Sequence, residues 1–248
     1  MGIKVKVLGT QSPYTTEGHN CPGFMVISDN TKIILDCGSG INSLLKFPDD
    51  LKNLHVIISH LHRDHYTDLF NLLYASLVFN RQGRLENEIN IYLPGTPKLT
   101  YEDILGEKDS YAKYEIITED KEIIINNLKI TFSKNDHPVE TYSIKVTDGN
   151  QTIVYTSDIS YSSKDKLVQF SKDADILISD SSLLISHGFP EICNHLTAKQ
   201  AATIAKEANV KKLVLTHFWP EEDLNNYLNE AKEVFDNVIV AEEKLEIE

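Results

Sequence analysis

Cysteine is scarce in this sequence: Cys21, Cys37 and Cys193 are the only three in 248 residues, an odd number and widely spaced. That excludes a disulfide framework and a CxxC-type metal knuckle. It points to a reducing compartment, so a cytoplasmic protein is expected. Long apolar runs are missing too; none approaches the length of a membrane span, and no membrane partner is expected. The opening Met1-Gly2-Ile3-Lys4-Val5-Lys6-Val7-Leu8 is too short and too alternating for a signal peptide and reads as a strand. Basic residues are the third scarcity. Lysine and arginine number 24 against 37 acids, a formal charge of −13, and no run of them makes a basic patch. A field of that sign serves solubility and repels nucleic-acid phosphate, which counts against a large nucleic acid as the main partner. No Pro-, Ser- or Gly-rich linker, low-complexity tract or fixed-period repeat divides the chain, so one domain over 1–248 is expected.

What is present is an ordinary globular composition, 41% apolar and 25% charged. Alternation predicts strands near 3–8, 23–28 and 32–36, with Asp29-Asn30 turning the second into the third. A short helix is expected over 40–46, then a buried strand at 56–58 with His55 as a structural residue inside it. The spacing of Leu69, Leu72, Leu73, Leu77 and Val78 predicts an amphipathic helix, and a strand at 89–93 ends at Pro94-Gly95. Segments 123–125 and 128–132 flank Asn126-Asn127, and 142–146 and 153–155 flank Asp148-Gly149, both hairpin patterns. From 163 onward helices and strands alternate. Thr197 caps a helix through Ala201, Ala202, Ile204 and Ala205, followed by a strand at 212–216, a helix near 221–235 and short terminal strands. Hairpins followed by α/β alternation suggest stacked sheets covered by helices.

Five apolar strands end in a possible ligand: Asp36, His60, Asp158, Asp180 and His217. In α/β architectures, sites gather beyond the carboxyl ends of strands. Asp and His also follow strands as plain turn residues, which accounts for one or two of these but strains at five. The densest segment is His60-Leu61-His62-Arg63-Asp64-His65, four potential ligands within six residues. Imidazole nitrogen and carboxylate oxygen suit zinc, manganese or iron. The competing reading is a polar loop in which Asp64 caps the next helix. Six of the nine histidines fall at candidate positions: the three here with His137, His195 and His217. His137 gains weight only from that company, and His19 and His187 lie in loops that could border a pocket.

These motifs, in this order, resemble the metallo-β-lactamase superfamily, whose hallmark is His-x-His-x-Asp-His after a buried strand. Asp36, His60 to His65, His137, Asp158 and His217 match in register along the whole chain. The resemblance implies an α/β fold, the four-layer αββα sandwich, with the site at one edge between the sheets. It implies two divalent metal ions, zinc first and manganese or iron as alternatives. His60, His62 and His137 would hold one; Asp64, His65 and His217 the other; Asp158 would bridge them and Asp36 would fix the ligand loop by hydrogen bonds. Aspartate at 158 favours the hydrolase branches over the β-lactamases, many of which carry cysteine there, and no antibiotic-resistance role is implied.

Asn194-His195-Leu196-Thr197-Ala198 is similar to the His-Ser/Leu-Thr-Ala motif of the ribonuclease Z branch and its phosphodiesterase relatives. There the histidine contacts the scissile phosphate and acts as an acid; otherwise His195 is an ordinary residue at a helix start. The implied reaction is in-line attack of hydroxide on phosphorus, with Asp64 steering or accepting the proton and His195 donating to the leaving oxygen. Two departures bear on substrate. The tRNA-clamping arm of ribonuclease Z is inserted between the third and fourth motifs, yet only 21 positions separate His137 from Asp158 here. Arg63 stands where ribonuclease Z commonly has glycine, either solvated or reaching the pocket mouth. A small or cyclic phosphodiester is therefore the expected substrate. A tRNA 3′-processing endonuclease, a carboxylic ester, thioester or lactone hydrolase, and a non-catalytic metal sensor are the alternatives. Homodimers are common in this branch, and a homodimer is the assembly it allows.

Overall fold

The structure, a computed structural model, describes residues 2–106, 111–188 and 193–248. In chain order the first half runs β1 (Lys4–Gly9), β2 (Gly23–Ser28), β3 (Thr31–Leu35), β4 (Leu54–Ile57), α1 (Arg63–Tyr66), α2 (Leu69–Arg81), β5 (Ile89–Leu93), α3 (Lys98–Leu105) and β6 (Ala112–Ile116). The second half runs β7 (Glu122–Ile125), β8 (Leu128–Lys134), β9 (Tyr142–Thr147), β10 (Thr152–Tyr155), α4 (Lys164–Phe170) and β11 (Ile176–Asp180). It continues through α5 (Ala198–Glu207), β12 (Lys212–Thr216), α6 (Leu224–Lys232), β13 (Val238–Val240) and β14 (Glu246–Ile247).

Among the described residues two seven-stranded sheets form, ordered β14-β1-β2-β3-β4-β5-β6 and β13-β12-β11-β10-β9-β8-β7. Each pairs antiparallel on one side and parallel on the other, the change falling at β3 in the first sheet and β10 in the second. Alternation explains the packing. Val5, Val7, Phe24, Ile33 and Ile57 of the first sheet face Ile130, Phe132, Ile144, Ile153 and Ile178 of the second in one buried core. The other face of the first sheet packs Met25, Ile34, Val56 and Ile91 against Leu69, Leu72 and Leu73 of α2. The other face of the second packs Val154, Leu177 and Leu213 against Ala201, Ile204 and Ala205 of α5 and Tyr227 of α6. Each fully buried Val, Leu, Ile, Phe or Met side chain among these contributes about 1.5–3 kcal/mol. The layers are thus helix, sheet, sheet, helix, as anticipated.

Several boundaries differ for local reasons. The helix expected over 40–46 is one 3₁₀ turn, Ile41–Leu44, which Leu45 ends in extended backbone. The ligand segment enters its own short helix, α1, separate from α2. α6 begins at Leu224 because Asp223 caps it, accepting from the Asn225 amide at 2.9 Å. Thr197 and Gln200 close a reciprocal capping box on α5, with bonds of 3.1 and 2.9 Å. Neither α3 nor the edge strand β6 is expected from the sequence pattern; β6, Ala-Lys-Tyr-Glu-Ile, has no fully buried residue, with Ala112 and Tyr114 half-buried on the outer core of the first sheet. His55 lies in β4 stacked on Tyr92, a structural place as expected. Among the described residues no helix is long and apolar enough to cross a membrane.

Candidate metal centre

The parallel strands β3, β4, β10, β11 and β12, and β8 running in the same direction as β10, carry their carboxyl ends to one edge of the sandwich, and the candidate ligands follow those ends, His137 following β8. Three of the turning residues have left-handed backbone: Asp36 (φ 59°), Ser157 (φ 53°) and His217 (φ 67°). Side chains other than glycine enter that region at a cost, and such strain collects where a side chain must be aimed.

All seven predicted ligands come together. His60, His62, His137 and Asp158 form one group and Asp64, His65 and His217 another, with the candidate ligand atoms in each group within 4.8 Å of one another. Asp158 lies between them. Its Oδ2 faces His60 Nε2 at 3.4 Å and His137 Nε2 at 3.6 Å. Its Oδ1 faces His65 Nε2 at 3.2 Å and His217 Nε2 at 3.0 Å. Those distances are short, yet His60 Nε2 and Asp158 Oδ1 are buried without a hydrogen bond of acceptable geometry. His65 Nε2 and His217 Nε2 approach to 3.2 Å, and His62 Nδ1 and His137 Nε2 to 3.3 Å. Lone pairs converging without donors between them, in a buried site, are costly unless cations bind them. The donor set, nitrogen and oxygen with no sulfur, fits divalent ions such as zinc.

The ring orientations are set by what holds Nδ1. His65 Nδ1 donates to Asp36 at 2.7 Å, and His137 Nδ1 donates to the Asn194 carbonyl at 3.2 Å. His217 Nδ1 lies 2.6 Å from Ser182 Oγ, and His60 Nδ1 lies 3.1 Å from Ser59 Oγ and 3.3 Å from Ser157 Oγ. In all four rings Nε2 is thereby left for a metal. Asp36 is wholly buried and accepts from Ser59 N, Ser59 Oγ and Tyr155 Oη at 2.7, 2.8 and 2.7 Å, besides His65. Asp64 does not cap α1; its Oδ2 accepts from Ser12 Oγ at 2.8 Å.

Electrostatics separate the residues. Burial raises the Asp158 carboxyl, but the charges of His217 and His65 outweigh it and hold it well below the usual range. The same balance, with His65 and His217, leaves Asp64 lowered. Burial pushes His60 down to about 4 and lowers His62 and His137, so these rings are neutral, as ligands must be.

His195 lies just before α5 rather than in it, and its Nδ1 contacts Asp180 Oδ2 at 2.9 Å. Burial lowers this imidazole, yet the Asp180 charge and hydrogen bond prevail and bring it up to about 9. Its ring stacks on His217, centroids 5.1 Å apart, and lies 5.5 Å from His137. Asp180, noted in the sequence only as a strand end, also accepts from Ser182 Oγ at 2.6 Å and so braces both His195 and His217. The serines at 12, 59, 157 and 182 and Tyr155 gave no sequence signal. His187 pairs with Glu222 at 3.0 Å beside this site, His19 pairs with Glu243 at 3.2 Å, and Arg63 is exposed at the start of α1.

Residues 31–218 match the β-lactamase superfamily domain. A relative from Bacillus subtilis (strain 168), "Probable metallo-hydrolase YhfI", is 32% identical over 243 residues, covering 96% of both chains. Its crystal structure, a metallo-β-lactamase fold protein, superposes with a TM-score of 0.92 at 31% identity, over 100% of this chain and 99% of that one. Ribonuclease Z of Archaeoglobus fulgidus is 28% identical over 306 aligned positions, covering 100% of this chain and 98% of the relative. That alignment is longer than the 248 residues here, so the relative carries segments this chain lacks. The human short-form tRNase Z shares the fold, with a TM-score of 0.74 at 20% identity, over 99% of this chain and 98% of that one.

Proposed function

The chain belongs to the metallo-β-lactamase superfamily, in its ribonuclease Z-like branch, and is a metal-dependent hydrolase; from that premise we propose a two-metal phosphodiesterase acting on small or cyclic phosphodiesters. His60, His62 and His137 hold one ion and Asp64, His65 and His217 the other, with Asp158 between them, all within one domain over 1–248. Zinc is the proposed metal. When bound, the ions supply Lewis acidity, neutralising phosphate charge and acidifying water.

The observation that carries the reading is the His195–Asp180 pair. A phosphodiester expels an alkoxide, which needs a proton as it leaves. With Nδ1 committed to Asp180, the imidazolium proton on Nε2 is the one available for transfer. An imidazolium beside two dications would lose its proton without a buried carboxylate; Asp180 keeps it charged. Asp64, its Oδ2 anchored by Ser12, accepts or steers the proton of the attacking water. Asp36 and Ser182 hold the ligand rings in place.

The small substrate is supported by the span between His137 and Asp158, which the β9–β10 hairpin fills. The ribonuclease Z relative favours tRNA 3′-processing as a second reading, against which stand this short span and the charge of −13. The test is hydrolysis by metal-restored protein of bis-p-nitrophenyl phosphate, 2′,3′-cyclic nucleotides, a lactone and precursor tRNA. Turnover of the two phosphodiesters is expected. Activity confined to the lactone sinks the reading, and efficient tRNA cleavage replaces it with the second.

A further inference from the structure

A cavity of about 490 Å³, a size suited to a small molecule, is lined by Ser182, Leu183, His187, Trp219, Glu221 and Glu222. It borders the metal cluster, because Ser182 Oγ is 2.6 Å from His217 Nδ1 and Trp219 follows His217 by two positions. Its two walls are tied together by the buried Tyr227, whose Oη donates to the Ser182 carbonyl at 3.2 Å and accepts from the Trp219 amide at 3.3 Å. The indole is nevertheless 45% exposed. Tyr14 stands edge-on to it, centroids 6.5 Å apart, on the loop whose Ser12 anchors Asp64. A large aromatic face held in place at a pocket wall is a stacking platform.

The acids in the cavity have different occupations. Glu222 uses both oxygens, one on His187 at 3.0 Å and one on Asn226 at 2.7 Å. Glu221 is exposed and, among the described residues, makes one long contact, from Tyr14 Oη at 3.5 Å. Among the described residues no lysine or arginine lines the cavity, so it repels phosphate and suits a group that donates hydrogen bonds. Phosphate belongs to the histidine cluster next door.

We propose that this cavity is a nucleobase subsite: the base stacks on Trp219, and Glu221 accepts from its exocyclic amino group. The substrate class is then phosphodiesters of amino-bearing nucleosides, adenine foremost, in preference to uracil. This rests on the phosphodiesterase reading for its substrate but not for its ligand.

Trp219 is the only tryptophan, so its fluorescence reports the cavity directly. In metal-loaded protein, AMP quenches it saturably and binds roughly tenfold tighter than ribose 5-phosphate, the lower range of base–aromatic stacking. UMP binds more weakly than AMP, and Glu221→Gln narrows that difference. Trp219→Leu lowers the ratio of kcat/KM for cyclic AMP over a baseless cyclic ribose phosphate by roughly the same tenfold. Equal binding of AMP and ribose 5-phosphate overturns the subsite, and so does quenching by phosphocholine alone, which would make the cavity an organic-cation site. AMP quenching in a protein that hydrolyses no phosphodiester keeps the subsite and sinks the phosphodiesterase; hydrolysis without any preference for a base does the reverse.

Discussion

Tyr155→Phe isolates the support beneath the proposed metal ligands from the ligands themselves. The Tyr155 hydroxyl donates to Asp36 Oδ2 at 2.7 Å, and its ring packs on Phe24 with centroids 5.3 Å apart. Burial, with the Asp36 charge adding to it, holds the phenol well above its ordinary pKa, so it remains a donor throughout the working range. Phenylalanine keeps the ring and removes only that bond. A hydrogen bond to a charged acceptor is worth about 1.5–3 kcal/mol, and Asp36 keeps three other donors, which places the loss near 1.5 kcal/mol. For a chain of this size that lowers Tm by about 3–6 °C in metal-free protein. Asp36 also holds His65 Nδ1, so the loosened carboxylate weakens metal binding by roughly tenfold, the lower range for outer-shell partners. Melting and chelator competition measure the two effects separately. A lowered Tm with unchanged metal affinity would refute the reasoning, since Tyr155 would then be a packing residue alone.

The other predictions concern the proton and the loop. Asp180→Asn removes the charge that keeps His195 up at about 9 and leaves burial, which lowers it. His195 donates only while protonated, so the alkaline limb of the pH–rate profile moves to lower pH and activity is regained in mild acid; an unmoved limb means His195 is not the donor. His195→Ala retains both metals by elemental analysis while turnover falls roughly 10²–10⁴-fold. Gly38→Ala drives a methyl group into the Asp64 carbonyl and within 2.7 Å of that of Pro22. It costs about 1–3 kcal/mol and weakens the metal site as well; a melt at the wild-type Tm would show that the loop gives way freely.

How far the sequence could be read follows from the range of the contacts. His60 to His65 declared itself because its ligands are neighbours in the chain, and the apolar strands leading to Asp36, Asp158 and His217 announced the edge where they meet. The outer contacts carry no such local signal. Ser59 meets Ser157 at 2.6 Å across 98 positions, and Ser182 meets His217 across 35. A serine beside a strand looks like any other serine until the sheets are stacked. Asp180 was visible as a strand end, but its service to His195 depends on the loop between β11 and α5. β6 differs in kind: Ala-Lys-Tyr-Glu-Ile does alternate, but only over five residues and with Lys113 and Glu115 exposed as suits an edge strand, so its signal is short and weak.

These seven side chains are proposed to bind the two metal ions that the hydrolase needs. Titration of zinc into chelator-stripped protein, with bound metal and phosphodiester turnover followed together, tests it most directly. Two equivalents per chain are expected, with activity rising with occupancy and both lost in His60→Ala and Asp158→Ala. Full turnover in stripped Asp158→Ala protein would contradict it.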